Sequence, residues 1–215
     1  MGLPQIAPYA MPTESQLPDN RVSWQCDPDR AVLLIHDMQN HFLRAFPPHG
    51  SPMTELVTNI GLLRAAAAKL GIPTVYSAQP GGQTPEQRGL QLDMWGGGIG
   101  DDPADAEIIG ELSPTDGDIR LTKWRYNAFH RTDLGDILRR HQRDQLIVTG
   151  VYAHIGCLLT AADAFMQDLQ PFFVADAVGD FSRRHHEMAL DYAASRCAMT
   201  VPARLLAEQL EGAQV

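Results

Sequence analysis

The stretch AVLLIHDMQNHFL, residues 31–43, decides the reading of the fold. Ala31–His36 is an unbroken apolar run closed by a histidine. A strand with one wet face alternates apolar and polar residues. A continuous run points instead to a strand covered on both faces, as in a parallel sheet. His36 and Asp37 then put a titratable pair where that strand ends. Outward from it, strand and helix patterns take turns. Residues 52–70 carry Met53, Leu56, Val57, Ile60, Leu63, Ala67 and Leu70 at helical spacing, with Gly71 as a C-cap. Further strands are expected at 72–78, 119–124, 145–151, 172–175 and 198–201. Further helices are expected at 132–142, 156–168, 183–196 and 202–210. Residues 80–118 are rich in Gly, Pro and Asp, with short helical pieces near 86–95 and 103–112. An excursion of that length between strands is often functional. The alternation predicts an α/β fold over residues 31–215: a doubly wound, parallel, six-stranded sheet with helices on both faces, three layers in the Rossmann manner. Residues 1–30, proline-rich and polar, read as an extended arm that wraps the domain or a partner subunit.

The bulk numbers narrow the class. A chain of 215 residues suffices for one domain with a sizeable core. A net charge of -9 argues against nucleic acid, whose binders carry a basic face. An anionic small molecule would have to be met by a local cluster of Arg and Lys. The three cysteines, Cys26, Cys157 and Cys197, form no CxxC and no even framework, so neither disulfides nor a zinc knuckle are expected and a reducing cytoplasm is the simplest compartment. No segment reads as a signal peptide or a membrane span. No HExxH occurs, His185 and His186 cannot share a helix face, and Gly96-Gly97-Gly98 does not open a helix after a strand, so neither a metal nor a nucleotide cofactor is expected.

Ligands of open parallel sheets bind beyond the carboxyl ends of the strands. Here those ends read His36-Asp37, Gln79, Lys123-Trp124-Arg125-Tyr126, Tyr152-Ala153-His154 and Asp176. A carboxylate and an amine on different strands are thus placed to face each other. Each residue also has a plainer reading. Asp37 suits a helix cap, Lys123 a solvated strand end, Gln79 a turn before proline, and Trp95 and Tyr126 ordinary packing. Spacing alone does not choose between them.

Several segments together carry a family likeness: AVLLIHDMQNHFL (31–43), YSAQPGGQTPEQRGLQLDMWGGG (76–98), LTKWRYNAFHRTDL (121–134), DQLIVTGVYAHIGCLLTAADAF (144–165) and PFFVADAVGDFSRRHHEMALDYAASRC (171–197). The chain resembles the isochorismatase family of the cysteine-hydrolase superfamily over nearly its whole length. The resemblance implies hydrolysis of the enolpyruvyl ether of isochorismate to pyruvate and 2,3-dihydro-2,3-dihydroxybenzoate, in siderophore-type secondary metabolism. The superfamily triad of Asp, Lys and Cys falls on Asp37, Lys123 and Gly156. The nucleophile's position therefore holds glycine, which would keep backbone donors and make room for a ring. Cys157, one residue on, is rotated by about 100° and should not substitute.

A vinyl ether needs an acid, not a nucleophile. Asp37 is the expected acid; burial would raise its pKa and Lys123 would oppose that, a tension the sequence leaves open. Gln79, Arg88 and Tyr152 are expected to bind a substrate carboxylate, with Trp95, Tyr126, Phe42 and Phe181 forming walls. The partner is then a small dicarboxylate, handled by a homodimer, with an aryl carrier protein or synthetase as a separate chain. The competing readings are a 2-amino-2-deoxyisochorismate hydrolase of a phenazine-type pathway, a cysteine amidase, and a non-catalytic module docking on a synthetase.

Overall fold

Every residue of β1 (Ala31–His36) is buried, because it lies between β2 (Thr74–Ala78) and β4 (Gln145–Val151) and under helices on both faces. The computed structural model describes residues 3–213. With β3 (Ile119–Thr122), β5 (Gln170–Gly179) and β6 (Met199–Val201), the strands form one parallel sheet in the order β3-β2-β1-β4-β5-β6. The order reverses between β1 and β4. That reversal opens a crevice at the carboxyl ends of the two central strands.

Alternation along β1 feeds two cores. Leu33 and Ile35 face α2 (Met53–Leu70), whose Leu56, Ile60 and Leu63 pack with Leu206 and Leu210 of α9 (Ala203–Gly212). Val32 and Leu34 face Ile137 and Leu138 of α6 (Leu134–Arg140), Ala161 and Ala164 of α7 (Leu158–Met166), and Leu190 of α8 (Arg183–Tyr192). Each such fully buried aliphatic side chain contributes about 1.5–3 kcal/mol. Gly71, left-handed at φ 68°, ends α2 as expected. The connections hold four shorter helices: α1 (Asn40–Leu43), α3 (Pro85–Arg88), α4 (Gln91–Trp95) and α5 (Pro103–Ala106).

Several boundaries differ from the sequence reading. The second strand starts two residues later and the third ends at Thr122, so Lys123 already stands in the turn beyond it. The fifth strand runs on to Gly179 across a shift of register against β4. Asp176 is therefore not a strand end. Its carboxylate accepts the Ala203 N–H at the start of α9 and is lost to the site. Asp180 takes the terminal place instead. The helix after β4 opens with a π-helical turn, Ala153–Cys157. The arm lies on this same chain: Ile6 and Met11 are buried, the Ile6 N–H donates to the Ala45 carbonyl, and Asn20 bonds Thr200 in β6.

Gly150 lets the two central strands meet where the site begins. Its φ is +107°, and a β-carbon there would lie 2.7 Å from His36 N and 2.8 Å from His36 C. No small shift relieves that contact, since both atoms belong to the neighbouring strand. Gly150→Ala is expected to cost more than about 4 kcal/mol or to prevent folding. Gly61→Ala, in open space within α2, should stabilise by about 0.5–1 kcal/mol. Urea unfolding of the two variants checks the contrast.

Candidate active site

Asp37 leaves β1 in the left-handed region, at φ 51°. Aspartate tolerates this better than most residues, and the bend aims its carboxylate across the carboxyl edge of the sheet. There Oδ2 meets Lys123 Nζ at 2.9 Å and Gln79 Nε2 at 3.3 Å, while Oδ1 accepts the Ser77 hydroxyl at 2.7 Å. The Lys123 ammonium also donates to the carbonyls of Arg125, at 2.6 Å, and Tyr126, at 3.4 Å. Its three N–H bonds are thus all engaged. Both side chains are sealed from water, at 5% and 1% exposure. Burial alone pushes the Asp37 carboxyl upward. The Lys123 ammonium, by its charge and its hydrogen bond, outweighs this together with the bond from Ser77 and holds the carboxyl below its ordinary range. The tension left open by the sequence therefore resolves toward a carboxylate in the unliganded protein.

Around this pair lies a pocket of about 700 Å³, counting its open mouth, a volume suited to a small molecule. All ten residues singled out from the sequence line it: Asp37, Phe42, Gln79, Arg88, Trp95, Lys123, Tyr126, Tyr152, Gly156 and Phe181. Arg88, brought in by α3, is 3% exposed and donates to Gly96 O at 3.1 Å and Gln79 Oε1 at 3.3 Å. No carboxylate among the described residues lies within ion-pair distance of it. Gly98 clears its place, since a β-carbon there would sit 2.8 Å from the guanidinium carbon. Arg88 thus puts a buried, permanently charged fork without an anion on the pocket wall, a geometry that matches a carboxylate.

The walls are aromatic. Tyr152 and Phe181 stack with centroids 4.0 Å apart, and Trp95 stacks on the other side of Phe181 at 5.9 Å. Trp95 Nε1 donates to the Tyr126 hydroxyl at 2.5 Å, which leaves the Tyr126 proton free for a ligand. Tyr152 differs from expectation in its bonding. Its hydroxyl donates to the Phe42 carbonyl at 2.9 Å, so it serves as wall rather than carboxylate donor. Gly156 also differs: the space its missing side chain leaves is filled by the His36 ring, not kept for a ligand. Cys157 points into the core beneath α7, fully buried, and burial pushes its thiol well up.

Sequence reasoning missed three polar residues here. Ser77 stands at the carboxyl end of β2, two residues before Gln79, where the strand-end rule places ligand-facing groups. Gln91, 6% exposed on the pocket wall, has an amide oxygen with no partner. His41 also lines the cavity and is pushed down by burial.

Just outside the lining, His154, Asp180 and His185 each offer one ligand atom, all within 4.8 Å of one another. The two imidazoles stack at 4.4 Å and 18°, so their in-plane lone pairs do not converge. The Asp180 oxygens accept His154 N, His154 Nδ1 and Phe181 N, which anchors the π-helical turn. His186 points the other way, with Nε2 2.8 Å from the Ala175 carbonyl.

Removal of Lys123 gives a pH signature. In the wild type the depressed Asp37 carboxyl lends stability that is present above its ordinary pKa and is lost as pH falls toward the folded value. In Lys123→Met the same buried carboxyl has no cation, its pKa rises above the ordinary 3.8, and the penalty grows with pH. The melting gap between wild type and variant should be about 10 °C at pH 8, following the 3–5 kcal/mol cost of a broken buried pair, and should narrow toward pH 5. A gap independent of pH would show that Asp37 is not the group responsible.

The isochorismatase family model, an isochorismatase domain, matches residues 31–204. Isochorismatase of Bacillus subtilis (strain 168) is 57% identical over 213 residues, spanning 99% of this chain and 68% of that protein. Phenazine biosynthesis protein PhzD of Pseudomonas fluorescens is 52% identical over 93% of this chain and 96% of its own length. Enterobactin synthase component B of Escherichia coli (strain K12) is 46% identical over 94% of this chain and 70% of its own. Among solved structures, a cysteine hydrolase from Pseudomonas syringae pv. phaseolicola superposes with a TM-score of 0.82 over 91% of this chain and 98% of that one, at 22% identity, a likeness of fold alone. With residues 31–204 matched by the family model and nearly the whole length by these relatives, the chain belongs to the isochorismatase family.

Proposed function

We propose that the chain hydrolyses the enolpyruvyl ether of isochorismate to pyruvate and 2,3-dihydro-2,3-dihydroxybenzoate, with Asp37 as the acid. One observation carries this reading: a buried carboxyl and its ammonium share a pocket with an unpaired arginine, and glycine stands where a nucleophile would be needed. The 57% identity to a protein named isochorismatase supports it.

The charges suggest how the acid is loaded. Asp37 and Lys123 cancel, and Arg88 leaves one positive charge; His36 and His41, pushed down by burial, are neutral near pH 7. A dicarboxylate brings two negative charges into this closed space. Arg88, bridged by Gln79, takes one carboxylate. The remaining negative charge is relieved by a proton on Asp37. The acid passes that proton to the terminal methylene carbon of the vinyl ether, which becomes a methyl group. Water adds to the resulting oxocarbenium carbon and yields a proton back to Asp37. The hemiketal then releases its bond to the ring oxygen, the hydroxyl proton moving to that oxygen, and pyruvate departs. Lys123 holds Asp37 in place and is not itself the donor. The Trp95, Tyr152 and Phe181 wall excludes water from the ring, and the Gln91 amide oxygen accepts a ring donor.

A second reading, hydrolysis of the 2-amino-2-deoxy analogue in a phenazine-type pathway, has the support of the 52% identity to PhzD. It uses the same acid and the same Arg88. We further propose a homodimer, for which the exposed Leu159, Phe165 and Met166 offer an apolar face, and action alongside a separate synthetase or carrier protein. The three free, buried cysteines accord with a reducing compartment such as the cytoplasm. No helix among the described residues is long and apolar enough to cross a membrane.

The test is pyruvate release from each substrate. Asp37→Asn should fold and lose at least about 10²-fold in kcat; near-normal turnover would remove Asp37 from the chemistry. Arg88→Met should raise KM by about 10–100-fold, the scale of one charge-assisted bond, with melting temperature within a few degrees of wild type. An unchanged KM would assign the carboxylate elsewhere.

A further inference from the structure

His36 is the residue in the pocket that neither the fold nor the proposed proton transfer explains. It is 1% exposed. Its Nδ1 lies 2.9 Å from the Val151 carbonyl oxygen and its Nε2 3.2 Å from that of Tyr126. Both neighbours are acceptors, so the neutral ring donates to one of them, and it fills the gap between the end of β4 and the turn after β3. Two glycines surround it. Gly150 admits its backbone, and Gly156 admits its ring. A β-carbon built at Gly156 would lie 2.8 Å from Nε2 and 3.1 Å from Nδ1, and closer still to the carbon between them. Contacts that short force something to move. Here the obstacle is a rigid, buried ring wedged between two backbone carbonyls, not the free end of a flexible chain.

We propose that His36 and Gly156 form one specificity-determining unit. The imidazole holds the volume that any side chain at position 156 needs, closes the site to a covalent nucleophile there, and thereby reserves Asp37 for proton transfer to substrate. Only that last clause rests on the acid-catalysed reading. The pair also explains why glycine at position 156 opens no extra room for a ligand. A thiol cannot be restored to this site by changing position 156 alone. The imidazole must be cut back with it, and a nucleophile then stands beside the Asp37–Lys123 pair.

The test is a cycle of His36→Ala, Gly156→Cys and the double variant, with His36→Val as a second partner. Two readouts serve. The first is melting temperature. Gly156→Cys should lower it by about 5 °C or more, as overpacking in a chain of this size does, and the double variant should lose clearly less than the sum of the single losses. The second is alkylation by iodoacetamide near pH 7, read by mass spectrometry against the wild type, whose three cysteines are buried. The introduced thiol should react at least about 10-fold faster in the double variant than in Gly156→Cys, where the ring crowds it; a purely structural histidine would not change thiol reactivity in this way. If Gly156→Cys alone fails to fold, the double variant should fold, and failure of that rescue with both alanine and valine overturns the proposal. It is equally overturned if Gly156→Cys melts like wild type and keeps pyruvate release within twofold, or if the single losses simply add. Absence of pyruvate release from the wild type would defeat the acid-catalysed reading and leave the stability coupling standing.

Discussion

Two opposite charges sealed from water each lose hydration worth several kcal/mol, and only close geometry with every hydrogen bond satisfied offsets that loss. The Asp37–Lys123 pair meets the condition by drawing on four strand ends at once. β1 delivers the carboxylate, β2 supplies Ser77 and Gln79, and the turn after β3 supplies both the ammonium and the carbonyls that complete it. β4 closes the far side, through Gly150 and the turn that contains Gly156. The pair is possible only where the sheet order reverses, because there the central strands end side by side and leave a crevice between them. Sheet order, the glycine at the β1–β4 contact and the left-handed bend at Asp37 all follow from the need to bring one carboxylate and one ammonium to that place.

The pair also explains the division of labour in the pocket. Lys123 is fully bonded, so in the proposed mechanism it sets the state of Asp37 rather than touching the ligand's reacting atoms. Arg88 is the reverse case: a permanent charge, buried and without an anion. Burying such a charge without a partner costs stability, which is why we propose that it serves a substrate carboxylate. The aromatic stack of Trp95, Phe181 and Tyr152 lines the same pocket with apolar surface. A small dicarboxylate is the ligand we propose for the sum of these features.

Much of this was legible in the sequence, for identifiable physical reasons. The apolar run at Ala31–His36 and the helical spacing across Met53–Leu70 are strong periodic signals, and the rule that ligands sit beyond strand ends turned Asp37 and Lys123 into neighbours before any geometry was known. Arg88 and Gly156 came from the family likeness, since nothing in their local spacing marks them. The failures are equally physical. Asp176 follows an apolar run and so looked like a strand end, but the strand continues past it through Ala177, Val178 and Gly179, and a shift of register is invisible in one sequence. Tyr152 reads as a donor to the ligand because sequence does not show that the Phe42 carbonyl already holds its proton. The filling of Gly156 by His36 joins residues 120 positions apart and could be seen only in three dimensions.

The central claim is that Asp37 is a carboxylate in the empty pocket and an acid in the filled one. Calorimetry tests it most directly, by counting the protons exchanged when a saturated analogue binds near pH 7.5, such as a benzoate carrying a 1-carboxyethyl ether, titrated in buffers of different ionisation enthalpy. The analogue keeps both carboxylates and lacks the vinyl carbon, so it cannot consume the proton it recruits. Uptake of about one proton per site by the wild type, and none by Asp37→Asn, is the predicted result. Tight binding with no proton uptake, or equal uptake in the variant, would contradict it.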